Sequence, residues 1–391
     1  MSKTGPARTI FEPEHEEFRA FVREFLEREV APHHDRWEEQ GRVDKEFYAV
    51  AAEKGIVGFW VPQEYGGLGI EDFRYNVVIQ EELGKLAFSA PSIRLYNDII
   101  APYLLNLTND EQKQRWLPGQ AKGTFTFSLG LSEPGAGSDL AGARTSALRD
   151  GDSWIVNGSK IFITNGLNSD ATIVFCKTNP DAGHRGFSLI VVEDGMEGFK
   201  RGRKLKKIGM AGQDTAELFF EDVRVPAANL LGEEGQGFYY LMMNLGVERL
   251  AIALAALSQA RQVFDDTLDY VKTREAFKQP IGTFQANKHV MATFATELDI
   301  AQVYVDSLIS KVLDETLSDI EASKAKWWVT ELGKRVIDGC LQLHGGYGYM
   351  LEYPVAKAYI DYRYMTIGGG STEIMKEMIG NDLGLAWRNR G

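Results

Sequence analysis

Between residue 11 and about residue 122, apolar positions recur mostly at three- and four-residue steps. Phe18, Phe21, Val22, Phe25 and Val30 follow this spacing with Glu and Arg between them, which predicts helix. Pro32 interrupts the pattern. Helices are predicted again over residues 44–54 and 73–86, separated by the turn-rich run Val61-Pro62-Gln63-Glu64-Tyr65-Gly66-Gly67-Leu68-Gly69. From about residue 123 to 230 the period changes to two. Strands are predicted at 153–156, 160–164, 171–176, 187–192 and 217–220, with a β-leaning run at 124–129. Asp150-Gly151, Asn157-Gly158, Asn165-Gly166 and Asp194-Gly195 fall between them, which predicts an antiparallel barrel or sandwich. Long alanine- and leucine-rich helices are predicted at 239–272, 284–317 and 319–343. A shorter helix follows from Tyr353 and a last one from Thr372. The chain is therefore expected to be mostly α with a central β-domain. Residues 1–122 form a helical domain, 123–236 the β-domain, and 237–391 a second helical domain.

Composition narrows the partners. The 391 residues are 44% hydrophobic and 25% charged, as in soluble globular proteins. Acidic residues outnumber basic ones 55 to 43, a net charge of −12 that argues against nucleic acid or an anionic membrane as partner. Cys176 and Cys340 both sit in apolar surroundings, which predicts free thiols in a reducing compartment. No apolar run approaches the roughly 20 residues of a bilayer span, and residues 1–9 lack a signal core. A cytoplasmic location is expected. His33 and His34 have no third ligand at metal-site spacing and are read as solvated; no metal is expected. The basic run Lys200-Arg201-Gly202-Arg203-Lys204-Leu205-Lys206-Lys207 reads as a solvated loop rather than a phosphate contact.

The stretch Gly130-Leu131-Ser132-Glu133-Pro134-Gly135-Ala136-Gly137-Ser138-Asp139 combines glycines with short oxygen-bearing side chains. Such a loop lets backbone N–H groups approach a phosphate or a polar cofactor edge. It is equally compatible with an ordinary Gly/Pro turn between strands. Gly135-x-Gly137 lacks the third glycine of the dinucleotide fingerprint, and no phosphate loop of the Gly-Lys-Ser/Thr type occurs.

Four stretches in order carry a wider resemblance: Leu131 to Asp139, Lys160-Ile161-Phe162-Ile163-Thr164-Asn165-Gly166, Arg274-Glu275-Ala276-Phe277-Lys278-Gln279-Pro280-Ile281-Gly282, and Gln342-Leu343-His344-Gly345-Gly346-Tyr347-Gly348-Tyr349. With them the chain resembles the acyl-CoA dehydrogenases from about residue 11 to 385, closest to the long-chain and isovaleryl subgroup. The resemblance implies a C-terminal four-helix bundle, one FAD per subunit and commonly a homotetramer. It places Leu131, Ser132, Gly137 and Ser138 on the flavin-side loop, with Ser138 also near substrate. Phe162 and Thr164 flank the isoalloxazine, and the family more often has Trp at the first of these positions. Arg274, Phe277 and Gln285 reach the FAD of a neighbouring subunit. Gln342, Gly345 and Gly346 lie on its diphosphate and ribose, and Ser371 also contacts cofactor. An arginine can pair with a diphosphate, although Arg274 also reads as a surface helix residue.

The implied reaction removes a proton α to a thioester and a hydride from the β-carbon, so it needs one buried carboxylate. Many members carry that glutamate in the turn before the last helix. Here that turn is Ile367-Gly368-Gly369-Gly370-Ser371, with Gly369 at the matching position. The long-chain and isovaleryl subgroup carries it on the first long C-terminal helix, where this chain has Gly246-Val247-Glu248-Arg249-Leu250. The resemblance therefore makes Glu248 the base, Arg249 and Gly368 substrate contacts, and the Gly369 N–H a donor to the thioester carbonyl. The expected partners are an acyl-CoA substrate and an electron-transfer flavoprotein. Two rivals are a flavin monooxygenase on the same scaffold, which would lack the base, and a non-catalytic scaffold subunit.

Overall fold

The computed structural model describes residues 5–86 and 90–386. Its first third folds into α1 (Pro13–Glu29), α2 (Ala31–Gln40), α3 (Glu46–Glu53), α4 (Phe73–Lys85), α5 (Ala101–Leu107) and α6 (Asp110–Ala121). Pro32 both ends α1 and opens α2, because a proline in the first helical turn sacrifices an N–H that has no intrahelical partner there. Residues 33 and 34, expected after a helix, are therefore within one.

The middle third is one sheet: β1 (Phe127–Gly130), β2 (Ser146–Asp150), β3 (Ser153–Thr164), β4 (Ala171–Lys177), β5 (Phe187–Glu193), β6 (Phe199–Lys204), β7 (Thr215–Pro226) and β8 (Leu230–Leu231). The strand order is β6-β7-β3-β2-β4-β5-β8, with β1 also on β4. The pairing is antiparallel as expected except at β4, where β1 and β2 both run parallel to it. Phe127 to Gly130 pair with Ala171 to Val174, and Ser146 pairs with Lys177. The chain thus leaves the edge of β4 after Gly130 and returns to it at Ser146. Everything between is extruded as a loop beside the sheet. The basic run expected as a loop instead enters β6, an edge strand on which Lys200, Arg203 and Lys204 are exposed and discourage further pairing, while Arg201 turns inward to the Gly166 and Ser169 carbonyls.

Both faces of the central strands are buried. Ile173 and Phe175 of β4 join the core shared with the N-terminal helices, while Val174 and Cys176 pack with Trp154, Leu218 and Val225 on the other face. This is why β4 and β5 read as unbroken apolar runs.

The last third begins with α7 (Gly237–Thr273). A two-stranded hairpin, β9 (Glu275–Ala276) and β10 (Gln279–Pro280), leads into α8 (Gln285–Leu313) and α9 (Asp319–His344). The shorter α10 (Pro354–Tyr362) and α11 (Thr372–Gly380) complete it. Ser318 caps α9 in a reciprocal box with Glu321. Leu250, Leu254, Leu257 and Phe264 of α7 pack with Leu298 and Val305 of α8 and Val329 and Val336 of α9. Phe73 and Val77 of α4 enter the same core, so the first helical domain is docked on α7. By length and composition α7 could cross a bilayer, but its apolar positions are used in this bundle.

Candidate active site

The long helix α7 carries Glu248 where three elements meet. Its side chain is only 7% exposed. The hydroxyl of Tyr103, from α5, donates to Glu248 Oε1 at 3.3 Å. Burial pushes the Glu248 carboxyl up to about 7, while the Tyr103 hydrogen bond and the Arg249 charge pull weakly the other way. The same burial, together with the adjacent carboxylate, holds the Tyr103 phenol well above its ordinary range. Tyr103 therefore stays a neutral donor. Arg249, the next residue, is buried too. Its Nη1 reaches Ser323 Oγ of α9 at 3.4 Å, and its Nε has no hydrogen-bond partner. Asp319 at the start of α9 supplies part of its countercharge.

The turn before α11 lies against this same helix face. Gly369 and Gly370 have φ of 65° and 94°, the left-handed region that side chains avoid. A Cβ on Gly369 would stand 2.3 Å from Ile252 Cδ1. Ile252 lies four residues after Glu248, one helical turn along and on one face with it. Gly369 is thus packed over the stripe of α7 that bears Glu248, and a side chain at 369 would collide with that stripe. Glycine at 369 and glutamate at 248, read separately from the chain, are one arrangement in space.

A second group of predicted residues lies beside the sheet. Leu131 and Ser132 are half-buried, while Gly137 and Ser138 are exposed. The loop is held by a buried carboxylate that sequence reasoning did not single out. Glu133 accepts from the backbone N–H of Arg144 at 2.7 Å and of Thr145 at 2.9 Å, and from Lys160 Nζ at 2.8 Å. Lys160 also donates to the carbonyl of Leu131 at 3.0 Å. The Lys160 ammonium keeps the Glu133 carboxyl below its ordinary value against the opposing cost of burial. Ser132 O accepts from Ile161 N at 2.9 Å, which pins the loop alongside β3. There the β3–β7 register slips between Lys160 and Ile163. Phe162 takes a φ of 62° and leaves its ring 67% exposed. Thr164, half-buried, follows on the same strand. An irregular strand presenting a bare phenyl ring next to a Gly-Ser loop suits a flat aromatic ligand.

The third group forms a cleft of about 480 Å³ at the far end of α7, lined by Tyr270, Arg274, Gln342, Gly345, Gly346 and Tyr347 among others. Arg274 leaves α7 at its C-cap with its guanidinium 5.6 Å over the Tyr347 ring; among the described residues it makes no ion pair. Gly345, at φ 58°, and Gly346 face open space, since a Cβ built on either meets nothing within 4 Å. An unpaired arginine opposite bare backbone fits a diphosphate. Phe277 and Gln285 do not line this cleft. Phe277, at φ 50°, is 91% exposed on the hairpin, and Gln285 is exposed at the start of α8. Ser371 Oγ accepts from Ile374 N at 3.5 Å and caps α11. Gly368 follows a tight turn in which Ile367 N and Gly368 N both donate to Tyr364 O.

Tyr103, Glu133 and Ile252 were not foreseen. Each acts through a partner remote in sequence or through the helix face it shares, and no local pattern marks it. His34 is buried beside Lys357, whose Nζ lies 3.2 Å from Nδ1 and 2.6 Å from Glu38 Oε2. That group is a lysine-centred ion pair rather than the solvated histidine expected.

Comparison with known proteins follows the same three-part division. Residues 12–124 match the family description "Acyl-CoA dehydrogenase, N-terminal domain", 128–223 the middle domain and 235–384 the C-terminal domain. The chain is 45% identical over 378 residues to the "Long-chain specific acyl-CoA dehydrogenase, mitochondrial" of Sus scrofa, covering 96% of this chain and 88% of that one. Among solved structures it superposes on an acyl-CoA dehydrogenase from Geobacillus kaustophilus with a TM-score of 0.94, at 48% identity, over 97% of this chain and all of the other (100%). A glutaryl-CoA dehydrogenase from Mycobacterium smegmatis, solved in complex with FADH2, superposes with a TM-score of 0.87 at 27% identity, over 97% of each chain.

Proposed function

Because this chain belongs to the acyl-CoA dehydrogenase family, we propose that it oxidises a long-chain acyl-CoA to the trans-2-enoyl-CoA with Glu248 as base. The enzyme is an FAD-dependent oxidoreductase. The observation that carries the site assignment is the packing of Gly369 over the α7 stripe that bears the buried Glu248. Phe162, Thr164 and the loop from Leu131 to Ser138 would hold the flavin ring. Arg274, Gln342, Gly345 and Gly346 would hold a diphosphate, and the exposed Phe277 and Gln285 would reach the FAD of a neighbouring subunit. The bare phenyl ring, the open glycines and the unpaired arginine fit those roles. FAD, when bound, supplies the acceptor for the hydride that leaves the β-carbon.

The remaining chemistry belongs to the chain itself. Glu248 takes the α-proton, and its raised carboxyl makes it a stronger base than a solvated glutamate. Tyr103 aims it by donating to Oε1. The Gly369 N–H donates to the thioester oxygen and stabilises the negative charge that grows there as the α-proton leaves. Ile252 and the apolar α7 face keep water from that carbon. Arg249 and Gly368 border the acyl thioester, and Ser138 borders it from the loop side. The likeness to long-chain relatives supports the chain length and a role in fatty-acid β-oxidation. Electrons would pass to an electron-transfer flavoprotein. The exposed Ile300 and Val303 of α8, with exposed Phe277, Tyr349 and Leu351, support a homotetramer. The net charge and free thiols support a cytoplasmic location.

The deciding experiment is anaerobic titration of the purified protein with acyl-CoAs of graded length, following the oxidised-flavin band. Bleaching by long-chain thioesters is expected. A flavin band that no acyl-CoA bleaches would refute the proposal and favour the oxygenase. A colourless protein would favour the scaffold subunit.

A further inference from the structure

Lys326 lies on α9, and its side chain is fully buried. An ammonium in that setting needs a reason, because burying it costs several kcal/mol unless it is well partnered. Its Nζ donates to the carbonyl oxygen of Gly370. Among the described residues it makes no ion pair. The charged groups that face it are Arg249 from α7, Glu331 from its own helix and Glu373 from α11. The nearest carboxylates thus act at a distance, while the direct contact is to the backbone of the glycine turn.

That turn needs an anchor. Gly368, Gly369 and Gly370 are three consecutive glycines, two of them at positive φ, and such a segment is intrinsically the most mobile kind of chain. It is tied at its start by Ile367 N and Gly368 N, which donate to Tyr364 O at 2.8 and 2.9 Å. At its end Lys326 holds Gly370 O, and Glu331 Oε1 accepts from Thr372 Oγ1 at 2.9 Å. The Gly369 N–H sits between the two ties. Without the second, the peptide planes on either side of Gly369 could rotate, since no Cβ restrains them.

We infer that Lys326 is a positioning residue for the dehydrogenation. By clamping Gly370 O it fixes the direction of the Gly369 N–H that meets the thioester carbonyl. Its charge, with that of Arg249, biases the pocket toward the enolate-like form of the substrate. This rests on the reading that Glu248 and Gly369 act on an acyl-CoA. Lys326 touches neither substrate nor base, so its effect appears in the acidity of the bound α-carbon rather than in affinity.

The test uses the FAD-loaded full chain and a 3-thia-acyl-CoA of accepted length. This analogue can lose its α-proton, but its sulfur replaces the β-carbon and blocks hydride loss. The fraction of bound analogue that is deprotonated is read spectroscopically against pH. In Lys326→Met that titration should move up by about one pH unit, and kcat should fall about 10-fold. That is less than the roughly 100-fold cost of deleting a direct oxyanion donor. KM should change little, and Lys326→Arg, which keeps a charged donor, should recover most of the shift. An unmoved titration in a Lys326→Met protein with native melting overturns the inference. Should that variant fail to fold, Lys326→Gln carries the same comparison with the same two outcomes. A wild-type protein whose bound analogue never ionises would instead overturn the dehydrogenase reading beneath it, which Glu248→Gln tests separately.

Discussion

Replacing Glu248 by Gln tests the site at its centre, because the structure predicts opposite effects on activity and on stability. The amide is isosteric with the carboxyl, and its oxygen can still accept from Tyr103, so the fold should be retained. What disappears is the proton acceptor. General-base catalysis contributes about 10² to 10⁴ in rate, and with Glu248 the buried carboxylate on the α7 face under Gly369 the loss should lie at the upper end. The stability effect runs the other way. In the folded protein the Glu248 carboxyl titrates at about 7, against an ordinary value of 4.5. The folded state therefore retains a proton that the unfolded chain releases between those values. Below pH 4.5 both states are protonated and nothing is lost. As the pH rises through the window to 7, the native protein becomes progressively less stable relative to its unfolded chain. Above pH 7 the full difference of about 3 kcal/mol applies. Glu248→Gln does not incur this cost. It should melt several degrees higher than wild type at pH 8, with the advantage vanishing toward pH 4.5. Flavin absorbance and turnover measured on the same samples complete the assay. Wild-type-like turnover in the variant would refute the base assignment. Equal melting at pH 8 would refute the claim that the carboxylate is desolvated.

The same titration predicts that wild-type kcat/KM for an acyl-CoA falls about tenfold per pH unit below pH 7, which a stopped-flow pH profile would check. Lys160→Met leaves the buried Glu133 carboxylate without its counter-ion, held only by the Arg144 and Thr145 N–H groups, and should destabilise the β-domain by about 3 kcal/mol in denaturant melts while loosening flavin retention on dialysis. Arg274→Ala should leave the melting temperature of flavin-free protein unchanged but lower FAD content after gel filtration, since among the described residues its guanidinium has no ion-pair partner to strand. Gly369→Ala places a Cβ against Ile252 at a left-handed φ, so it should cost about 1–2 kcal/mol in stability and more than tenfold in kcat.

Much of this molecule was legible in the chain alone. The change from a helical period to a period of two and back marked the three regions, because the spacing of apolar side chains is set by which local geometry can bury them on one face. The motif stretches located the loop after β1, the bulged β3 and the Arg274 and Gly345 segments, because glycine, proline and arginine impose backbone and charge requirements within a few residues. Glu248 and Gly369 were each legible as a residue at a family position. Only the tertiary structure put Gly369 against Ile252 and so onto the face of α7 that carries Glu248, 121 positions earlier in sequence. It also decided that β1 and β2 both run parallel to β4, since strand direction in a sheet depends on where the connecting chain can cross. A raised carboxyl at Glu248 was expected from its implied role, but the helices that desolvate it, the pairing of Glu133 with Lys160 and the grip of Lys326 on Gly370 were likewise invisible. Desolvation and charge pairing are properties of a point in space, and the groups that create them come from helices and strands that no local pattern connects.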